Sequence, residues 1–308
     1  MNDIQFSVVI PTYNRGHLAV RAVESVLAQT VLPAEIIVVD DGSKDNTREL
    51  IAEFGDKVRY IQQQNQGSAV ARNNGMRQAK CSWIALLDSD DVWLPSHLAT
   101  MANAIKETAG SARYYFADTI RPIEKGSGSR WEGVGFSITG EFELNDVASE
   151  WVLYRPQPMM LQSTVFNKQA YLEAGGFLPA LRYRDDTHLF LKLGLDGPVC
   201  AVGNVGTKMT SDDAPTNRLT LSYDGQLKGA QMQVIMFNDL LDKMPHLPTP
   251  VQQELKRRLA YAYLAVARHT WKSKKYGEAM SYLLDCARTK PSVVTGSIQR
   301  NLQKVLSF

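Results

Sequence analysis

The sequence has no run of about 18 apolar residues, the length an apolar helix needs to cross a bilayer. Its first residues, Met1-Asn2-Asp3-Ile4-Gln5, lack the basic stretch and apolar run of a secretory leader. The expectation is therefore a cytoplasmic chain that neither spans a membrane nor is exported. Cysteine is scarce: Cys81, Cys200 and Cys286 are odd in number and far apart, which excludes a disulfide framework or a zinc spacing and leaves reduced thiols. Excess charge is missing too. Lys and Arg number 34 against 32 Asp and Glu, a net charge of +2, which argues against a nucleic-acid binder or an acidic tail. What remains is ordinary globular material: 308 residues, 44% hydrophobic, enough for one large domain or a domain with an appendage.

The most informative stretch is Trp83-Ile84-Ala85-Leu86-Leu87-Asp88-Ser89-Asp90-Asp91. A short apolar run that ends in three carboxylates within four positions predicts a buried strand emerging at a sheet edge. Unpaired burial of those charges is too costly, so they face water, a cation, or both. The carboxyl edge of a parallel sheet is where α/β folds place ligands. For Asp91 alone a solvated loop capping the helix near Pro95-Ser96 suffices, whereas Asp88 and Asp90 together point to metal or nucleotide contact.

Upstream, the β-branched runs at 7–10, 36–39 and 58–61 alternate with helical spacing at 18–27, 47–54 and 68–80. This order predicts an α/β fold, a mostly parallel sheet flanked by helices. The second run again ends in acids, Asp40-Asp41-Gly42-Ser43. Downstream, a helix through Leu98, Met101 and Ile105 leads to a strand at 114–118. Residues 121–140 are rich in Gly and Ser and predict an exposed hairpin or mobile loop, with Trp131 and Trp151 as buried anchors in preference to a sugar-stacking platform. A strand at 162–166, a short helix at 169–174 and the turn Gly175-Gly176-Phe177 precede Asp185-Asp186 at the start of an apolar helix. Simple capping explains one of those acids better than both. From about residue 220 the pattern is helical, at 226–241, 251–272 and 276–289, a packing appendage with one helix hairpin of weakly tetratricopeptide-like character.

Four pieces, Val8-Val9-Ile10-Pro11-Thr12-Tyr13-Asn14, Val38-Val39-Asp40-Asp41-Gly42-Ser43, Asn65-Gln66-Gly67-Ser68-Ala69-Val70-Ala71-Arg72-Asn73 and Asp88-Ser89-Asp90-Asp91, occur in the order and spacing of a known family. The pattern resembles the inverting nucleotide-sugar glycosyltransferases of family 2, over about residues 5–220. The resemblance implies a GT-A (Rossmann-like) domain at 1–220, with a nucleotide-binding half at 1–118 and an acceptor-binding half at 119–220, followed by a C-terminal helical region at 221–308.

It also implies a UDP-sugar donor and a divalent metal, Mn²⁺ or Mg²⁺. By this resemblance Asp90 is a metal ligand, and Asp88 contacts the ribose or shares the metal. Pro11, Thr12 and Tyr13 line the base pocket, Asp41 accepts from uracil with Asp40 as a second candidate, and Arg72 after the Gly67 turn reaches the nucleotide or the carboxylates. Asp186 matches the general base, while Asp185 departs from the Glu usual in the pair. In-line attack on an α-linked donor gives a β-linked product.

In place of a diphosphate-holding His or aromatic-basic stretch the chain has Lys208-Met209-Thr210-Ser211-Asp212-Asp213. Lys208, Arg218 or a lid ordered by the donor are the substitutes considered. The acceptor implied is a glycan or a lipid-linked glycan. A lipid-linked acceptor would bring the chain to the cytosolic face of a membrane, where Lys256, Arg257, Arg258, Lys272, Lys274 and Lys275 could assist, although a solvated helix face is the simpler expectation. A homo-oligomer is left open. Two rivals stand beside this reading. A nucleotidyltransferase would carry a Gly-rich basic loop after its first strand, and Thr12-Tyr13-Asn14-Arg15-Gly16 is not one. A non-catalytic nucleotide-sugar-binding or scaffold protein would use the C-terminal helices for partner contact, and the joint presence of Asp41, Asp88, Asp90 and Asp186 weighs against it.

Overall fold

A computed structural model describes residues 4–121, 128–146, 149–210 and 223–295, the side chains of 223–225 excepted. The chain divides into two compact units, residues 1–214 and 215–308. The expected boundary at 220/221 lies outside the described residues, as do Ser211, Asp212, Asp213 and Arg218.

The first unit opens β1 (Phe6–Thr12), α1 (Gly16–Leu27), β2 (Glu35–Asp40), α2 (Thr47–Ala52), β3 (Arg59–Gln62), α3 (Ser68–Gln78) and β4 (Trp83–Leu86). It continues through β5 (Asp91–Trp93), α4 (His97–Glu107), β6 (Tyr114–Ile120), α5 (Arg130–Val134), β7 (Phe142–Asn145), β8 (Thr164–Asn167), α6 (Lys168–Glu173), α7 (Asp185–Leu195) and β9 (Val199–Met209). One sheet collects the strands in the order β3-β2-β1-β4-β8-β6-β9-β5, with β7 on β9. The expected parallel pairing holds from β3 to β4 and again between β6 and β9. Around β8, β5 and β7 the pairing is antiparallel, so the sheet is mixed.

β1 and β4 are buried at every position, as strands covered on both faces must be, and this explains their unbroken apolar runs. β4 pairs with β1 only as far as Val9. The Thr12 carbonyl accepts from the Asp41 N–H on the β2 side (2.9 Å), so by strand alternation Pro11 faces the opposite side, beyond the end of β4. Its missing N–H costs no ladder bond there, and the sheet is open at that point.

Two expectations are corrected. Asp91 belongs to no solvated loop: it begins β5, is 4% exposed, and accepts from the Thr210 N–H at 3.3 Å. Within the segment after Arg121, residues 130–134 form a helix where a hairpin or loop was expected. Ser129 and Glu132 form a reciprocal capping box around the start of α5, and Gly135 ends that helix in the left-handed conformation. Trp131, Trp151, Phe116 and Phe136 meet edge to face at 4.8–5.9 Å, which seats both tryptophans as buried anchors. Residues 122–127 lie outside the described residues.

The second unit contains α8 (Tyr223–Lys243), α9 (Thr249–Lys272) and α10 (Tyr276–Thr289). Ala260 and Leu264 of α9 pack with Cys286 and Val293 in a small core. Among the described residues no helix is long and apolar enough to cross a membrane.

Candidate active site

The carboxyl ends of β1, β2 and β4 surround a cavity of about 500 Å³. Its walls come from the first-strand motif (Pro11, Thr12, Tyr13), from Asp41, Gly67 and Arg72, and from Asp88 and Asp90 after β4. Tyr13 is 43% exposed, leaving a ring face for a base or ribose, whereas Thr12 is buried and its Oγ1 has no partner among the described residues. A buried hydroxyl with no bond fits a ligand better than an apolar wall.

Asp41 and Asp40 are separated by one position of strand alternation. Asp41 faces the cavity, where Oδ1 accepts from Gln63 Nε2 (2.8 Å) and the Gln66 N–H (3.0 Å), and Oδ2 accepts from the Gly67 N–H (2.7 Å). It thus shapes the loop that precedes α3 as well as lining the cavity. Asp40, the second candidate for base contact, is fully buried, does not line the cavity, and accepts from the Ser43 N–H (2.8 Å) and the Tyr60 hydroxyl. That placement corrects the assignment of a nucleotide contact to Asp40.

Arg72 ties the two halves of the first unit together. Its Nη2 donates to Asp88 Oδ1 and its Nη1 to Asp185 Oδ2, both at 2.8 Å. Burial opposes its charge, but Asp88 and Asp185 outweigh burial and hold its pKa above the ordinary value. Burial pushes the Asp185 carboxyl up; Arg72 opposes that, and the neighbouring Asp186 and Asp88 reinforce it. Next to Arg72 on α3, Asn73 clamps the Gly175-Gly176-Phe177 turn by donating to the Phe177 carbonyl (2.8 Å) and accepting from the Phe177 N–H (2.9 Å) and the Tyr171 hydroxyl. Lys192 on α7 donates to the Gly176 carbonyl at 2.9 Å. The turn and the acidic helix start are therefore positioned jointly from α3 and α7.

Asp186 lies beside Asp185 at the first turn of α7, half-buried, and its Oδ1 accepts from the Thr187 N–H at 2.6 Å. It is not the partner of Arg72, which leaves Oδ2 available to a substrate. The preceding residue, Arg184, holds a left-handed backbone at φ 61°, an unfavourable conformation for a side-chain-bearing residue that sets the entry to α7.

Three contributors were not singled out from sequence. Arg15 Nη1 meets Asp90 Oδ2 at 2.9 Å and lines the cavity. Arg182 lies so close to Gly67 that a Cβ there would come 2.6 Å from its Nη1. Arg130 donates to the Gln157 carbonyl (Nε, 3.0 Å); burial and the neighbouring Arg121 lower its pKa, and Asp186 opposes them. Arg15 follows the Pro-Thr-Tyr-Asn run directly, and that adjacency is the signal that could have found it. Arg182 sits in an irregular segment, and Arg130 opens a five-residue helix too short to show a periodicity, so spacing carries no directional information for either. Lys208 is exposed on β9 opposite Val92 and does not line the cavity.

Among the described residues no three His, Cys, Asp or Glu side chains are grouped to hold a metal. Asp88 and Asp90 nevertheless line one cavity, and each already attracts a guanidinium. One or two carboxylates completed by phosphate oxygens and water is how Mg²⁺-like ions are commonly held with nucleotides. The donor set fits a cation shared with a diphosphate.

The profile of the family described as "Glycosyl transferase family 2" matches residues 7–167. An uncharacterised glycosyltransferase of Rickettsia felis is 40% identical over 109 residues, which cover 35% of this chain and 18% of the relative's own length. Two solved structures share the fold. S. aureus TarS 1-349 in complex with UDP-GlcNAc aligns with a TM-score of 0.60 at 18% identity over 95% of this chain and 92% of that one. The mannosyltransferase PcManGT of Pyrobaculum calidifontis, in complex with GDP-Man and Mn²⁺, aligns with a TM-score of 0.59 at 19% identity over 97% and 81%.

Proposed function

The chain belongs to glycosyl transferase family 2, and on that premise we propose that it moves a hexose from a UDP-sugar to an acceptor hydroxyl with inversion of the anomeric centre. The observation that carries this reading is the Asp88–Arg72–Asp185 bridge. It joins the wall of the nucleotide cavity to the start of α7, so that a donor held at one end lies near a carboxylate base at the other.

In this reading Tyr13 and Thr12 contact the nucleoside and Asp41 accepts from the base. Uracil is preferred to guanine, although the solved relatives carry UDP-GlcNAc in one case and GDP-Man in the other. Asp88 and Asp90 would hold a divalent cation, whose contribution is to neutralise charge on the departing diphosphate. Arg72 orients Asp88. Asp186 Oδ2 takes the proton of the acceptor hydroxyl as its oxygen attacks the anomeric carbon from the side opposite the diphosphate. Asp185, held by Arg72, serves as the fixed neighbour against which Asp186 is placed. The first unit carries the transfer, and the acceptor is a glycan or a lipid-linked glycan.

Release of UDP from a panel of UDP-sugars tests the proposal, run with Mn²⁺, with Mg²⁺ and with a chelator. Metal-stimulated release from at least one UDP-sugar is expected. Release from GDP-sugars alone would overturn the assignment of the base, and no release from any nucleotide sugar would overturn the assignment of the reaction.

A further inference from the structure

The turn joining α9 to α10 and the helix that follows carry exposed apolar side chains next to a group of exposed lysines. Trp271 near the end of α9 and Tyr276 at the start of α10 are each 51% exposed, with ring centroids 4.9 Å apart. Met280 and Leu284 follow Tyr276 at intervals of four, so the three share one face of α10, and they are 49% and 52% exposed. Ala279 and Cys286 turn inward instead. The apolar arc of α10 is thus wider than the part its neighbours cover. Large apolar residues gathered in a strip, unlike singly scattered ones, mark an interaction surface.

Lys272, Lys274 and Lys275 lie in the same turn, and Arg268 sits one helical turn before Lys272. All four are exposed. Against them stands Glu278, 3.6 Å from Lys275. A groove of about 470 Å³ beside Trp271 is lined in part by Arg268, Lys272 and Leu283. By contrast, Arg257 and Arg258 are both engaged by Glu254, at 2.6 and 2.8 Å, and lie outside this patch.

We propose that this strip docks the chain on an anionic lipid bilayer. Trp271, Tyr276, Met280 and Leu284 enter the headgroup boundary, and Lys272, Lys274 and Lys275 meet lipid phosphates. Charge complementarity selects this occupant. Glu278, the carboxylate set among these cations, is already engaged by Lys275, so a second copy of the strip would bring them little countercharge, whereas an anionic surface pairs with all of them and accepts an apolar wedge beneath. Tryptophan and tyrosine at the head of the strip suit the interface, where one end of the ring is wet and the other apolar. The inference is independent of the donor chemistry.

Co-sedimentation of the full chain with phosphatidylcholine vesicles, with and without phosphatidylglycerol, tests it. The bound fraction should rise with phosphatidylglycerol and fall as salt is added. Trp83, Trp93, Trp131 and Trp151 are buried, so quenching of emission by brominated acyl chains should report Trp271 and disappear in Trp271→Phe. The double variant Lys272→Glu, Lys274→Glu should bind anionic vesicles more weakly by roughly tenfold or more. All these side chains are exposed, and unchanged thermal melting checks that the variants fold. Failure to bind anionic vesicles, or binding that charge reversal leaves unchanged, would overturn the proposal. A dimer in light scattering that Leu284→Arg dissolves, without vesicle binding, would assign the strip to a second copy.

Discussion

Asp185 and Asp186 are chemically identical neighbours that differ in what holds them. Asp185, its side chain 13% exposed, pairs with Arg72 at 2.8 Å, so Asp185→Asn removes half the countercharge of a buried guanidinium. The expected loss is about 1–3 kcal/mol of stability, the usual scale for leaving a buried charged donor poorly satisfied, visible as a lowered melting temperature. His97 provides a second residue-scale expectation. It is fully buried against Trp93 with neither ring nitrogen bonded among the described residues, and burial pushes it down to about 3. In the unfolded chain it titrates near 6.5. Between those values the unfolded state binds a proton that the folded state refuses, so stability falls as the pH drops through this window. The slope is up to about 1.4 kcal/mol per pH unit. Urea unfolding at neutral and mildly acidic pH should show a shallower loss in His97→Leu than in the parent, and equal slopes would show that His97 does not govern it. The carboxylates Asp41, Asp88, Asp90 and Asp186 stood out in the sequence because acids beside apolar runs are too costly to bury unless a charge, a cation or a ligand meets them. The contacts of Arg15 and Asn73 did not, because their partners lie 75 and 104 residues away; only the place of each residue in or beside a motif marked it.

At the scale of elements, α3 does more than cover the sheet. Its Arg72 reaches Asp88 and Asp185 while Asn73 grips the Gly-Gly-Phe turn, so one helix sets the distance between the two halves of the site. The turn has little freedom to change. Gly176 has φ 67°, and a Cβ there would lie 2.6 Å from Asn73 Oδ1 and 2.7 Å from the Tyr171 hydroxyl. Gly176→Ala should therefore destabilise by about 1–2 kcal/mol or more through the left-handed backbone alone. It should also slow transfer by displacing the start of α7. An unchanged melting curve would contradict the close packing described. The parallel front of the sheet was legible because strand, turn and helix alternate there with strong periodicity. β5, only three residues long, and β9, interrupted by polar and glycine residues, were not, since their pairing is decided by partners distant in the chain. The short helix α5 was hidden for the opposite reason: Gly and Ser dominate its surroundings, yet a capping box and buried Trp131 are enough to fix five residues.

For the molecule as a whole, donor binding and sugar transfer should be separable. In the proposed reading the donor occupies the cavity at the ends of β1, β2 and β4, and the proton is removed at the start of α7. Calorimetric titration with UDP should show tighter binding with Mn²⁺ or Mg²⁺ than with a chelator, because Asp88 and Asp90 add negative charge to a site proposed to accept a diphosphate. Equal affinity would remove the cation from the mechanism and leave the fold untouched. The sharpest test of the proposed transfer is Asp186→Asn, compared with the parent for UDP affinity and for transfer rate in one experiment. The substitution keeps size and capping ability and removes the negative charge together with proton acceptance. UDP affinity should be retained while transfer falls by roughly 10²-fold or more, the scale of lost general-base assistance. Full transfer in Asp186→Asn would contradict the role given to this carboxylate.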